Sequence, residues 1–114
     1  MTDSTINAIE ANIKQARSII ECGAALERLF ANKDFKAVML SGYMEKEAIR
    51  LVHLKADLNM QTPDKQQSVL TQIDAIGAVS SYFNNVRHQA MLAAKAIDAD
   101  EATIEELRMG GADE

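Results

Sequence analysis

Few side chains in this chain could do chemistry, and their spacing decides what each could do. His53 and Asp57 stand one helical turn apart, a spacing that can present an imidazole and a carboxylate to one metal ion. A metal site needs three or four converging ligands. No second histidine or cysteine pair accompanies these two, and His88 lies in a different segment. The pair reads as helix surface, and no metal or other cofactor is expected. Cys22, the only cysteine, could act as a nucleophile only beside a base that favours the thiolate. Nothing places His53 or His88 there, so Cys22 reads as a small apolar residue at a helix contact. Glu45, Glu47 and Asp57 are interleaved with Lys46 and Arg50, a pattern of surface ion pairs and not of an acid–base couple. There is no glycine-rich phosphate loop and no stacked-aromatic platform. With nucleophile, base and metal sets all missing from the pattern, a non-enzymatic protein is expected.

The elements that carry these residues read as helices throughout. The 114 residues are 47% hydrophobic but only 4% aromatic, so Ala, Ile, Leu, Val and Met must fill the core, as helix–helix packing prefers. One proline and five glycines leave little punctuation for strands and hairpins. The lone cysteine rules out a disulfide framework within the chain and fits a reducing compartment. The first twenty residues hold no apolar run, so no secretory leader is expected, and no stretch is long and apolar enough for a membrane span.

A first helix is predicted from a cap at Asp3 or Ser4. Its seam is Ile6, Ile9, Ile13, Ala16 and Ile20 at alternating three- and four-residue steps, and it passes Gly23 to Leu26, Leu29 and Phe30. Gly23 costs about 1 kcal/mol relative to Ala inside a helix, which a close helix crossing would explain. Asn32-Lys33-Asp34 predicts a break, with Asp34 capping a short helix that ends at Ser41-Gly42 in a left-handed cap. A second helix, from about Tyr43 to Asn59, has apolar residues on more than one stripe and is expected to be the most buried element, within one chain or at an interface. Thr62-Pro63-Asp64 is the clearest start: Thr62 as cap, Pro63 as first helical residue, Asp64 in the first turn.

From Pro63 to Met109 there is no further proline and one glycine, Gly77. These 47 residues would reach roughly 70 Å as one helix. Their stripe runs Val69, Ile73, Ile76, Val79, Phe83, Val86, Ala90, Ala94 and Ile97, and it weakens at Asp98, where a kink or restart is expected before Ile104 and Leu107. The polar band of Ser80, Ser81, Tyr82, Asn84, Asn85 and Gln89 reads either as solvated surface or as a partner contact. Net charge is −5 and uneven: residues 98–114 hold seven acidic side chains against Arg108 alone, and the rest of the chain is nearly neutral. Neither part carries the clustered Lys and Arg that nucleic-acid binding requires.

Residues 25–36 (ALERLFANKDFK) and 42–52 (GYMEKEAIRLV) resemble a group of small proteins encoded by tailed bacteriophages. The similarity continues through Gln66-Gln67-Ser68-Val69 and Asp74-Ala75-Ile76-Gly77 into the acidic end. The matching motifs are structural, and the resemblance implies a phage origin while supplying no catalytic residue.

The expected fold is all-α: an elongated helical hairpin or three-helix bundle with a long C-terminal helix, antiparallel to the first, and coiled-coil-like packing. Residues 1–109 are expected to form one helical domain and 110–114 a disordered acidic tail. Amphipathic helices in so short a chain leave apolar surface to cover, so a homo-oligomer is expected. Its interface is assigned to Ile6, Ile9, Ile13 and Ile20 of the first seam and Ile73, Ile76, Val79, Phe83 and Val86 of the last. Asp98, Asp100, Glu101, Glu105 and Glu106 are candidate partner contacts. The expected role is a structural or assembly protein (head, connector, packaging or scaffold accessory). The alternative is a binding protein that inhibits a host enzyme or defence factor. Partners are then further copies, other phage structural proteins or a host protein, in the host cytoplasm or the virion, with neither direct nucleic-acid binding nor a membrane involved.

Overall fold

A computed structural model describes residues 2–112, and every regular element among them is helical. Helix α1 spans Thr2–Ala31, α2 is the single turn Lys33–Phe35, a π-helical segment covers Lys36–Glu47, α3 is Ala48–Ala56, a 3-10 turn covers Leu58–Met60, and α4 runs Pro63–Ala112. The chain divides into two compact units. One holds the residues up to Leu26 with those from Val86 onward, and the other is Glu27–Asn85. They are called the terminal and central units below.

The local chemistry explains most boundaries. Asn32 leaves the helical conformation (ψ 128°) and its side-chain oxygen accepts from the Phe35 N–H at 2.9 Å, so it separates α1 from α2 and caps the latter. Asn32 thereby takes the capping role expected of Asp34. Pro63 opens α4, as its fixed φ and missing N–H favour. Asp98 starts no new helix: α4 is continuous there, because Ile104 and Leu107 resume the stripe in phase with Ile97. Gly110-Gly111 does not end it either. The tail expected at 110–114 is helical as far as Ala112, and Asp113 and Glu114 lie outside the described residues.

In the terminal unit the α1 and α4 seams face each other antiparallel. Ile6, Ile13 and Ile104 are buried together, with Ile9, Ile97 and Leu107 packed around them. At the far end of this pairing Gly23 meets Ala90. A Cβ built on Gly23 would stand 2.5 Å from the Ala90 Cβ, closer than two carbons can approach, so a hydrogen is all that fits.

In the central unit Leu51 and Val69 are sealed from solvent and pack with Ile76; Tyr43 and Met44 from the π-helical segment, Ala48 and Leu54 from α3, Met60 and Ile73 complete the cluster. Phe30, Phe35 and Phe83 form a second cluster, with ring centroids 5.2–6.1 Å apart, within the range of favourable aromatic pairs.

The π-helical segment replaces the expected stop at Ser41-Gly42. No described glycine has a positive φ, so Gly42 is no left-handed cap. Every residue from Met39 to Met44 is half-buried, and turns closed from i to i+5 carry the helix through Ser41-Gly42 without a stop.

Gly23 and Gly77 should respond oppositely to alanine. A Cβ on Gly77 would meet nothing within 4 Å, so Gly77→Ala should raise stability by about 0.5–1 kcal/mol through helix propensity. Gly23→Ala should lower it by about 1–3 kcal/mol through overpacking, and Ala90→Gly in the same chain should restore part of the loss. Urea unfolding checks both; shifts of the same sign would show that Gly23 is not at a tight crossing.

Candidate interaction surface

His53 is exposed, and the Asp57 carboxylate is engaged locally, accepting from the Asn59 N–H at 2.8 Å as the cap of the 3-10 turn. No cluster of three or more His, Cys, Asp or Glu able to hold a metal occurs among the described residues. Cys22 is exposed and is not the helix-contact residue expected, because it falls one position before Gly23 and so off the seam. Glu47 accepts from Arg50 at both carboxylate oxygens, 2.5 and 3.0 Å, one of the surface pairs that the interleaving predicts. The hydrogen bonds from Arg50, with its charge behind them, hold the Glu47 carboxyl below its ordinary 4.5. The same bonds raise the Arg50 guanidinium further.

The residues assigned to an interface between copies are largely used within the chain. Ile6, Ile13 and Ile76 are buried, Ile9 and Ile73 pack on the same clusters, and Phe83 closes the aromatic cluster. Ile20, Val79 and Val86 are half-buried. The physical reason is that the two seams cover one another near the termini, while Met60 and the second helix cover Ile73 and Ile76. What the chain leaves bare lies elsewhere.

Three surfaces stand out. On one flank of the α1–α4 pair, Arg108 reaches Glu10 at 3.2 Å and Arg17 reaches Glu101 at 3.6 Å. These pairs border an open groove of about 720 Å³ with Ile13 and Ile104 in its floor and Glu105 on its rim. Both pairs are well exposed, so each contributes at most about 1 kcal/mol. Glu101 of the candidate acidic contacts is therefore already paired, Asp100 is half-buried, and Asp98 and Glu106 are exposed.

The opposite flank carries a shallower groove of about 310 Å³, lined by Asn12, Gln15, Ala16 and Ile19 from α1 and by Gln89, Leu92, Ala93 and Ala96 from α4. None of these is charged. Gln89, one of the polar band noted in the sequence, is part of it.

The third surface is the outer face of α3. The second helix is not the most buried element that its apolar content predicts: only Leu51 of α3 is buried, and Ile49 and Val52 are 58% and 61% exposed. Nearby Leu58 is 91% exposed. The wide apolar face is real, but one of its two sides has no cover among the described residues.

No protein-family model, curated protein or solved structure matches the chain. No helix among the described residues is long and apolar enough to cross a membrane.

The Glu47–Arg50 pair makes a titration testable. Because the folded-state value of Glu47 lies below 4.5, the pair's contribution is present above that pH and is lost as pH falls through the lowered value. In carboxyl-carbon NMR, Arg50→Gln should move the Glu47 midpoint upward, toward 4.5; an unmoved midpoint would show that Arg50 does not hold it down.

Proposed function

We propose that this chain is a non-enzymatic structural or assembly protein of a tailed bacteriophage, a head, connector, packaging or scaffold accessory, that acts through helical self-association. The observation that carries the reading is that each unit leaves an apolar face bare after its own core is filled: Ile19 and Leu92 in the terminal unit, Ile49 and Val52 in the central unit. Singly exposed apolar residues are ordinary, but grouped ones on a helix face mark contact surfaces. Two separate faces per copy are what an assembling protein uses, since one joins a pair and a second extends it. The phage setting rests on the resemblance of residues 25–36 and 42–52.

A second reading, a binding protein directed at a host enzyme or defence factor, is favoured by the exposed carboxylates of Asp98 and Glu106 near the end of α4. Mass spectrometry of purified particles separates the two. The assembly reading expects the chain in fixed stoichiometric copy number. Its absence from particles, with capture of one host protein by the tagged chain, would replace the first reading with the second.

A further inference from the structure

Beside the buried seam, α1 and α4 each carry a second, uncharged seam, and we propose that a second copy of this chain docks there face to face, forming an antiparallel four-helix bundle. The inference rests on the self-association reading and names the surface that performs it.

The seam is visible once each helix is read one position before its core residues. On α1 these positions are Ala8, Asn12, Gln15, Ile19 and Cys22, at steps of four, three, four and three. On α4 they are Gln89, Leu92, Ala96, Ala99 and Thr103, at steps of three, four, three and four, with the charged Glu106 closing the row before Leu107. All ten before Glu106 are exposed and uncharged. The groove lined by Asn12, Gln15 and Ile19 together with Gln89, Leu92 and Ala96 shows that the two rows lie on one side of the pair. The positions one after the core residues look different: Glu10, Lys14, Arg17 and Glu21 on α1 are all charged, and on α4 Met91 and Ala94 are followed by Asp98, Glu101, Glu105 and Arg108. That is the usual flank of a two-helix seam, charged and cross-paired, as Glu10–Arg108 and Arg17–Glu101 are. A flank facing water has no reason to avoid charge over about 20 Å of both helices while keeping the heptad step. A flank facing another helix has both reasons.

The chemistry of the strip selects a second copy as its occupant. The net charge of −5 is concentrated in residues 98–114, so two copies meeting through the carboxylates of that end would repel, whereas the ten residues of this strip bring no charge to the contact. The amides of Asn12, Gln15 and Gln89 each donate and accept, so across a two-fold axis each can bond to its own counterpart or to another of the set. Ala8, Ala96 and Ala99 let the axes come close, and Ile19 and Leu92 supply the apolar centre. A strip about 20 Å long and two helices wide buries on the order of 1,000 Å² in total, the lower end of specific interfaces. The association should therefore be reversible and concentration-dependent.

The experiment is sedimentation equilibrium on the full chain up to about 1 mM, with helical content followed by circular dichroism. The wild type should reach a dimer or a multiple of one. Leu92→Glu places two like charges across the contact and should weaken association at least tenfold with helical content unchanged, while Glu105→Gln on the charged flank should change nothing. Ala96→Lys is a second variant that reads the same contact should Leu92→Glu unfold the chain. A wild-type oligomer that survives both strip substitutions but is lost with Ile49→Glu would overturn this surface and leave self-association standing. A wild type that stays monomeric throughout would overturn both.

Discussion

The close approach of Gly23 to Ala90 is the constraint on which the terminal unit depends. Two narrow isoleucine seams can slide along one another with little change in apolar contact, so burial alone does not choose their register. A missing side chain on one helix opposite a methyl on the other does choose it. With that point set, Ile6 and Ile13 fall against Ile104, and the numbering of the two helices runs in opposite directions from there. The arginines then arrive opposite carboxylates, Arg17 at Glu101 and Arg108 at Glu10. These exposed pairs are too weak to impose the register. They are consistent with it and add selectivity against slipped alignments, where like charges would meet.

The central unit solves a different problem. Its core is small, with Leu51 and Val69 at the centre, and its backbone changes direction between α3 and α4 within a few residues. The carbonyls exposed at the end of α3 are satisfied by side chains that come later in the sequence: Gln66 donates to the Lys55 and Met60 carbonyls, and Gln61 donates to those of Lys55 and Asp57. Helix termini must find such partners or water. This tight corner holds α3 by one side only, which is why its other side remains apolar and bare.

Much of this was legible in the residues, and the exceptions have physical reasons. The three–four spacing of Ile6, Ile9, Ile13 and Ile20, the break at Asn32 and the start at Thr62-Pro63-Asp64 are local signals, and the structure places α1, the break and α4 accordingly. The tight crossing at Gly23 follows from the cost of glycine inside an otherwise strong seam. The continuous turns through Ser41-Gly42 escape a sequence reading because glycine after serine resembles a helix stop. The identity of the surface that stays open escapes it too. Apolar periodicity says that a stripe must be covered, not what covers it. The uncharged run one position before the seam, from Ala8 to Cys22 and from Gln89 to Thr103, is readable without coordinates.

The wide turns of Lys36–Glu47 make this stretch tolerant of changes in chain length. Each such turn holds one more residue than an α turn, so losing a residue there can be absorbed by one turn narrowing, and Leu51 keeps its place against Val69. The same loss inside α4 would swing every following side chain by about 100° and pull Ile104 away from Ile6 and Ile13. Natural variants differing in length should therefore carry their insertions and deletions in the middle of the chain.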